Sequence, residues 1–300
     1  MTKRLTRASG SLIERAADAY DFRSMLRGND VTEPELFELP APSASAVRPR
    51  PMVATDGPLV PLDIHLLRDT GFIIPGAPPS ALSEEFRLIK RQLLLAAIGS
   101  NSGEPVKRGR LILVCSAQPN EGKTFCSVNL ALSMASESDT EVLLVDADVA
   151  KPEVLSTLGL PGSAGLMDAL ADPAINVESL IVRTNIPNLS VLPAGRQTNN
   201  DTELLASTRT RSLIDGLIAN NSRRIVLFDS APALAASPAS VLALHVGQVL
   251  MVVRADQTTE HELRDALALV EACPHIQLML NAVTYSGSNR KFGSYYGFGE

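Results

Sequence analysis

The feature that most constrains this chain is an apolar run that ends in a Gly-Lys-Thr loop. Leu111-Ile112-Leu113-Val114 reads as a buried strand, and Ala117-Gln118-Pro119-Asn120-Glu121-Gly122-Lys123-Thr124 follows it. A helix-like stretch opens close behind, near Phe125. Strand, Gly-Lys-Thr loop and helix is the order in which backbone N–H groups converge on phosphate oxygens, with the helix dipole aimed at the same spot. In that arrangement residues 117–125 cradle a nucleotide, Lys123 reaches its β- and γ-phosphates, and Thr124 Oγ ligates Mg²⁺. Where such loops usually begin with glycine, this one has Ala117. The bland alternative is a polar turn of an ordinary α/β domain, and two acidic motifs downstream argue against it.

Val142-Leu143-Leu144-Val145 ends in Asp146-Ala147-Asp148, and Ile225-Val226-Leu227-Phe228 ends in Asp229-Ser230-Ala231-Pro232. A buried strand that ends in acids delivers them to the carboxyl edge of a sheet, where open α/β sheets bind ligands. Asp229 is expected to hold Mg²⁺ opposite Thr124. Strands are expected near 111–116, 141–146, 189–192, 224–229, 248–253 and 276–281. Helices are expected near 123–136, 152–158, 163–171, 201–218, 237–244 and 259–272. Short apolar strands alternating with helices imply a doubly wound, mostly parallel sheet.

The first 80 residues hold ten of the twenty prolines, and the stretch from Glu33 to Pro61 reads as a Pro/Ala/Ser linker. Residues 11–20 have the spacing of a short amphipathic helix. The chain therefore divides into an extension at 1–79, an α/β domain at 80–284 and a flexible tail at 285–300. Ser83 is the expected N-cap of the first domain helix, with Glu84 and Glu85 in its first turn. A net charge of −6 argues against a nucleic-acid partner. Cys115, Cys126 and Cys273 lie far apart with no metal-ligand spacing, and the first two sit in apolar runs as core thiols. The run Val241–Val253 is broken by His245, Gly247 and Gln248 and is shorter than a membrane span needs. The expected location is the cytoplasm.

Taken together, Ala-x-Pro-x-Glu-Gly-Lys-Thr, apolar-Asp-x-Asp and apolar-Asp-Ser-x-Pro resemble the bacterial tyrosine autokinases of exopolysaccharide and capsule export. The resemblance covers about residues 80–300. Ser11–Ala16 and Asp69-Thr70-Gly71-Phe72-Ile73 are similar to a stand-alone subgroup linked to exosortase loci. The resemblance implies a P-loop NTPase fold of the ParA/MinD-like branch, with ATP and Mg²⁺ as cofactors. It implies phosphorylation in trans of a C-terminal tyrosine cluster, here Tyr295 and Tyr296 with Tyr285 further back. It assigns Asp146 the role of base, shared with metal coordination, and makes Asp148 a metal-site or neighbouring acid, two roles the sequence does not separate. Asn281, ending the last apolar strand, either contacts the base of the nucleotide or is a strand-end turn residue.

The family's Glu-x-x-Arg-x-x-Arg helix corresponds to Glu84, Arg87 and Lys90, which share a helix face and would pair with a neighbouring subunit in a ring. The expected partner is a membrane-embedded regulator of polysaccharide chain length, which would hold the chain at the inner face of the plasma membrane. Two departures stand out: Ala150 replaces the arginine that usually follows the second acidic motif, with Lys151 next, and Lys90 replaces the last arginine. Two other readings compete. A ParA/MinD-like ATPase switch would have a lysine where Gln118 stands. A nucleotide-binding regulator would bind without transferring phosphate.

Overall fold

The computed structural model describes residues 59–99, 103–219 and 221–283. All belong to one compact unit. Its first half runs β1 (Leu59–Val60), α1 (Ile64–Asp69), α2 (Ala81–Ile98), β2 (Leu111–Ser116), α3 (Lys123–Ala135), β3 (Glu141–Ala147), α4 (Val154–Thr157) and α5 (Leu166–Ala171). A 3₁₀ turn (Val177–Leu180) leads into β4 (Val182–Thr184), β5 (Leu189–Leu192), α6 (Asp201–Leu205) and α7 (Thr208–Ala219). The rest is β6 (Arg224–Ser230), α8 (Pro238–Ala243), β7 (Gln248–Arg254), α9 (Glu260–Leu269) and β8 (Ile276–Asn281). The sheet order is β1-β4-β5-β3-β6-β2-β7-β8, parallel except where β4 meets β5. This is the doubly wound P-loop fold that the motifs imply.

The strands alternate with period two, so each feeds both faces of the sheet. Ile112, Val114, Val142, Leu144, Ile225 and Leu227 point into one core with α2 and α3. Leu113, Leu143, Val145, Val226, Phe228 and Met251 point into the other, with α7, α8 and α9. Cys115 and Cys126 are buried as expected, and burial pushes both thiols up to about 12. They are inert at neutral pH.

Several elements differ from the sequence expectation. The helix expected at 201–218 breaks between α6 and α7. There the Thr210 hydroxyl donates to Leu204 O at 2.6 Å, and the Thr210 amide donates to Ser207 Oγ at 3.4 Å. Side chains that capture backbone groups this way compete with the helical ladder. The first domain helix starts at Ala81, capped by Ser80 rather than Ser83. Ser83 is instead the third residue of a capping box: its amide donates to Ser80 Oγ at 3.2 Å and its Oγ accepts from the Ser80 amide at 2.8 Å.

The boundary expected at residue 80 also moves. β1 pairs in parallel with β4 at the sheet edge, and the Leu62 amide donates to Asn185 Oδ1 at 2.8 Å. Leu67 of α1 is fully buried. Residues 59–79 are thus part of the packed body. A two-residue strand beside Pro61 gives no periodic signal, which is why the sequence reads as linker. The expected helix at 11–20 and Tyr285, Tyr295 and Tyr296 lie outside the described residues.

Lys90 departs from the expected surface row. It is buried, donates to Ser133 O at 3.0 Å, and pairs with Glu137 at 2.6 Å, tying α2 to the end of α3. Glu84 and Arg87 pair with each other at 2.5 Å. Of the three, only Arg87 is largely exposed, so the row does not present three charges to a neighbour. Leu67→Ala should lower the stability of the full chain by about 2–4 kcal/mol in urea unfolding, as for other buried leucines. Leu66→Ala, at a position 37% exposed, should cost well under half of that. Equal, small effects at both positions would mean that residues 59–79 do not belong to the folded body.

Candidate functional site

β2 delivers the loop, β3 delivers Asp146, and β6 delivers Asp229. Ala117, at the end of β2, is fully buried in the second core and does not border the cavity expected there. Its carbonyl accepts from the Leu234 amide at 3.2 Å, and Ser116 O accepts from Ala233 at 2.8 Å, so the segment after β6 is stitched alongside. Beyond Ala117 the chain turns through Asn120, at φ 65°, and Gly122, at φ 90°. Asparagine is among the few side-chain residues that accept this region. At Gly122 a Cβ would come within 2.2 Å of Asn281 Nδ2, so only glycine fits.

Glu121 is the brace of the loop. Its buried carboxylate accepts from the Gln118 amide at 2.8 Å and from the Thr258 hydroxyl. Arg254 Nη1 donates to Asn120 O at 2.7 Å, and Asn281 Nδ2 donates to Glu121 O at 2.9 Å. Gln118 Nε2 reaches Glu262 Oε1 at 3.1 Å. Glu262 also accepts from the Thr259 amide in the α9 capping box, and these bonds hold its carboxyl below the usual range. The ends of β7 and β8 and the start of α9 therefore fix the loop from outside. Asn281, expected against a base, spends its amide on this scaffold. Gln118 and Glu121 likewise face the scaffold. Thr258, Arg254 and Glu262 carry no motif, and sequence inspection passes over them.

Pro119, Asn120, Gly122, Lys123, Thr124 and Phe125 line a cavity of about 520 Å³. Its opposite wall includes Asp148, Ala150, Lys151 and Glu153. Lys123 and Asp148 are both buried and form an ion pair, Nζ to Oδ2, at 3.1 Å. Asp148 Oδ1 accepts from the Lys151 amide at 3.1 Å. The Lys151 side chain, 70% exposed, turns to Glu153 at 2.7 Å.

Asp146 and Asp229 are register partners on adjacent parallel strands, and both are fully buried. Asp229 accepts hydrogen bonds from the hydroxyls of Thr124 and Ser127, the latter at 2.9 Å. Asp146 Oδ2 accepts from the Val154 amide at the start of α4, at 3.1 Å. Asp146 Oδ1 and Asp229 Oδ2 have no hydrogen-bond partner. Burial first, then the neighbouring Asp229, pushes the Asp146 carboxyl up to about 7. Burial raises Asp229 to about 6, against the pull of the Thr124 hydroxyl and Lys123. Two adjacent buried acids, each with an orphaned oxygen, one of them also bonded to the Thr124 hydroxyl, suit a hard dication. Thr124, Asp146 and Asp229 thus fit Mg²⁺, and the loop with Lys123 fits a nucleotide's phosphates.

A folded-state pKa above the unfolded value of about 3.8 favours the fold while the group is protonated, and that advantage is lost as pH rises through about 7. Asp146→Asn should therefore stabilise the metal-free chain at pH 8, by roughly 1–4 kcal/mol. The gain should shrink steadily towards pH 5. Urea titrations of both chains at the two pH values check this; a gain independent of pH would mean the two carboxylates are not strained by ionisation.

Residues 109–281 match a family model described as AAA domain, more than half of the chain. The tyrosine-protein kinase wzc of Salmonella typhimurium is 31% identical over 205 residues, covering 68% of this chain and 27% of its own length. The tyrosine-protein kinase YwqD of Bacillus subtilis is 28% identical over 196 residues, covering 65% of this chain and 78% of its own length. The chain spans about a quarter of the length of the longer relatives that it matches. Among solved structures, the kinase domain of the Escherichia coli tyrosine kinase ETK has a TM-score of 0.58 at 24% identity, over 77% of this chain and 92% of that one, a likeness of fold. The chain belongs to the AAA-domain family and, within it, to the bacterial tyrosine kinases.

Proposed function

We propose that this chain is an ATP-dependent protein tyrosine autokinase that uses Mg²⁺ and phosphorylates tyrosines of its own C-terminal segment. The observation that carries the reading is the buried pair Asp146–Asp229 beneath a loop whose Lys123 is paired with Asp148. Phosphoryl transfer asks mainly for positioning and for neutralisation of charge. Lys123 and the loop amides would hold the phosphates, and Thr124, Asp146 and Asp229 would hold the metal. When bound, Mg²⁺ neutralises charge on the phosphate oxygens. The tyrosine oxygen attacks the γ-phosphorus, a new O–P bond forms, the bond to the β,γ-bridging oxygen breaks, and ADP leaves with that electron pair.

The phenol proton needs an acceptor, because at pH 7 roughly one tyrosine in a thousand is ionised, a cost of about 4 kcal/mol. The resemblance assigns this to Asp146, which is wholly buried, whereas Asp148 borders the cavity. We therefore assign proton acceptance to Asp148, freed when Lys123 turns from it to the phosphates. The ATPase-switch reading draws no support from Gln118, whose side chain is committed to Glu262. Among the described residues no helix is long and apolar enough to cross a membrane, so we further propose that a membrane-embedded regulator of polysaccharide export recruits and activates a ring of these chains. Each phosphotyrosine adds about −1.5 to −2 charges to the tail, which would weaken its docking and loosen the ring.

Intact-mass measurement after incubation with ATP and Mg²⁺ tests the activity. The native chain should gain whole phosphates, and Lys123→Met and the Tyr295→Phe/Tyr296→Phe double variant should gain none. No gain in the native chain, with the polysaccharide regulator present and ATP bound, would favour the switch or the silent regulator. Asp148→Asn should slow transfer by about 10²–10⁴-fold while nucleotide affinity changes by less than tenfold. If Asp146→Asn alone showed that pattern, the proton acceptor would be Asp146.

A further inference from the structure

The two edges of the sheet are finished differently. β1, at one edge, is two residues long and stands beside Pro61. β8, at the other, is a six-residue strand paired on one side only, with β7. His275 O accepts from the Val249 amide of β7, and Asn281 O from the Ala255 amide just past its end. Backbone groups alternate in direction along a strand, so those of Ile276, Leu278 and Leu280 face the open edge. From Ile276 to Val283 the chain has no charged residue and no proline. Natural edges are blunted by lysine, proline, a bulge or a covering element, because an open edge is a template for another strand. Among the described residues no strand pairs with β8 on that side.

The side chains match this backbone. Met279 is buried in the first core, and Ile276 packs against the second. Leu278 and Leu280, on the same face as Ile276, are 57% and 59% exposed, and Val283 just beyond is 49% exposed. Aliphatic side chains above unpaired backbone call for a strand of the same pattern, and β8 itself has that pattern. Two β8 strands set antiparallel about a two-fold axis at Met279 bring Leu278 opposite Leu280 of the second copy, and Leu280 opposite its Leu278. Both residues turn their backbone groups to the edge, so each such pair exchanges two hydrogen bonds. The contact is isologous, one surface serving both copies. The chain carries a net charge of −6, yet no charged side chain within the seam meets its like. An acidic or basic peptide would find no counter-charge there.

We infer that β8 is a self-association edge, through which two copies of this chain join their sheets and pack Leu278 and Leu280 of both copies together over the seam. The inference is independent of the kinase reading and uses a different face from α2. A six-residue strand makes a seam about 20 Å long. That is short for the ~800 Å² per partner of a tight interface, so the dimer is weak and forms with rising concentration. The seam ends at Asn281, which braces the Gly-Lys-Thr loop through Glu121 O, so pairing steadies the strand that holds the loop.

Sedimentation velocity of the full chain without nucleotide, from about 1 to 300 µM, should show a monomer–dimer equilibrium in that range. Leu278→Lys and Leu280→Lys should each weaken the dimer by about tenfold or more, because a lysine blunts an edge. Leu280→Ile, which keeps a strand-forming aliphatic side chain, should stay within about threefold of the native chain. Each variant should melt within about 3 °C of the native chain, since both positions are more than half exposed, which reports that the variants fold. Leu88→Lys, on the 48% exposed outer face of α2, should leave the dimer unchanged. Hydrogen exchange at the Leu278 and Leu280 amides should slow as concentration rises. Three results would overturn the inference. A chain that stays monomeric at about 300 µM has no such edge contact. Association that survives both lysines, or is lost in Leu88→Lys alone, places the contact elsewhere. Amides protected equally at every concentration mean that another part of the same chain covers β8.

Discussion

The parallel pairing of β3 with β6 is the constraint on which the site depends. It sets Asp146 directly beside Asp229, both fully buried. Without a cation, two like charges buried there are unfavourable: burial raises the pKa of each acid, and the neighbouring Asp229 raises that of Asp146 further. The strands on either side have no freedom to relieve it. β6 is locked between β3 and β2, and each strand fills both cores with alternate residues. The fold stores a local electrostatic cost where a dication would remove it.

The loop shows the opposite design, because its polar groups are satisfied by protein. Glu121, Arg254, Thr258 and Asn281 hold its outer side, and the capping box of α9 is connected through Gln118. A loop fixed from outside keeps its inner N–H groups in place for a ligand, so little ordering remains to be done on binding. Lys123 is the exception. Its ion pair with Asp148 would have to open for it to serve phosphates, which would couple this lysine to the acid lining the same cavity.

The segment at 59–79 links the edge of the sheet to the mouth of the site. It is anchored at β1, at Leu67 and at Ile73, and it ends in a capping box that starts α2. α2 is in turn tied to α3 through Lys90, so the charge expected to face a neighbour stabilises the subunit's own helix pair. Burial of the Lys90 stem and satisfaction of Ser133 O explain why a lysine suffices there.

The sequence by itself determined the site's parts and the sheet that carries them. Apolar runs ending in Gly-Lys-Thr, Asp-x-Asp and Asp-Ser-x-Pro are local signals, because a buried parallel strand must be apolar throughout and its polar residues collect at its end. Lys123, Thr124, Asp146, Asp148 and Asp229 were legible for that reason, as were the six longer parallel strands. Three things depended on contacts between residues distant in sequence, and these only the tertiary structure decided. Proximity across the sheet separated the positions of Asp146, buried beside Asp229, and Asp148, paired with Lys123 in the cavity. Packing drew residues 59–79 out of a proline-rich stretch and onto the domain, because a two-residue strand and one buried leucine leave no periodicity to read. The fold also set Phe72 beside Phe125, fifty-three positions away, and so gave the site an aromatic wall that no motif announces.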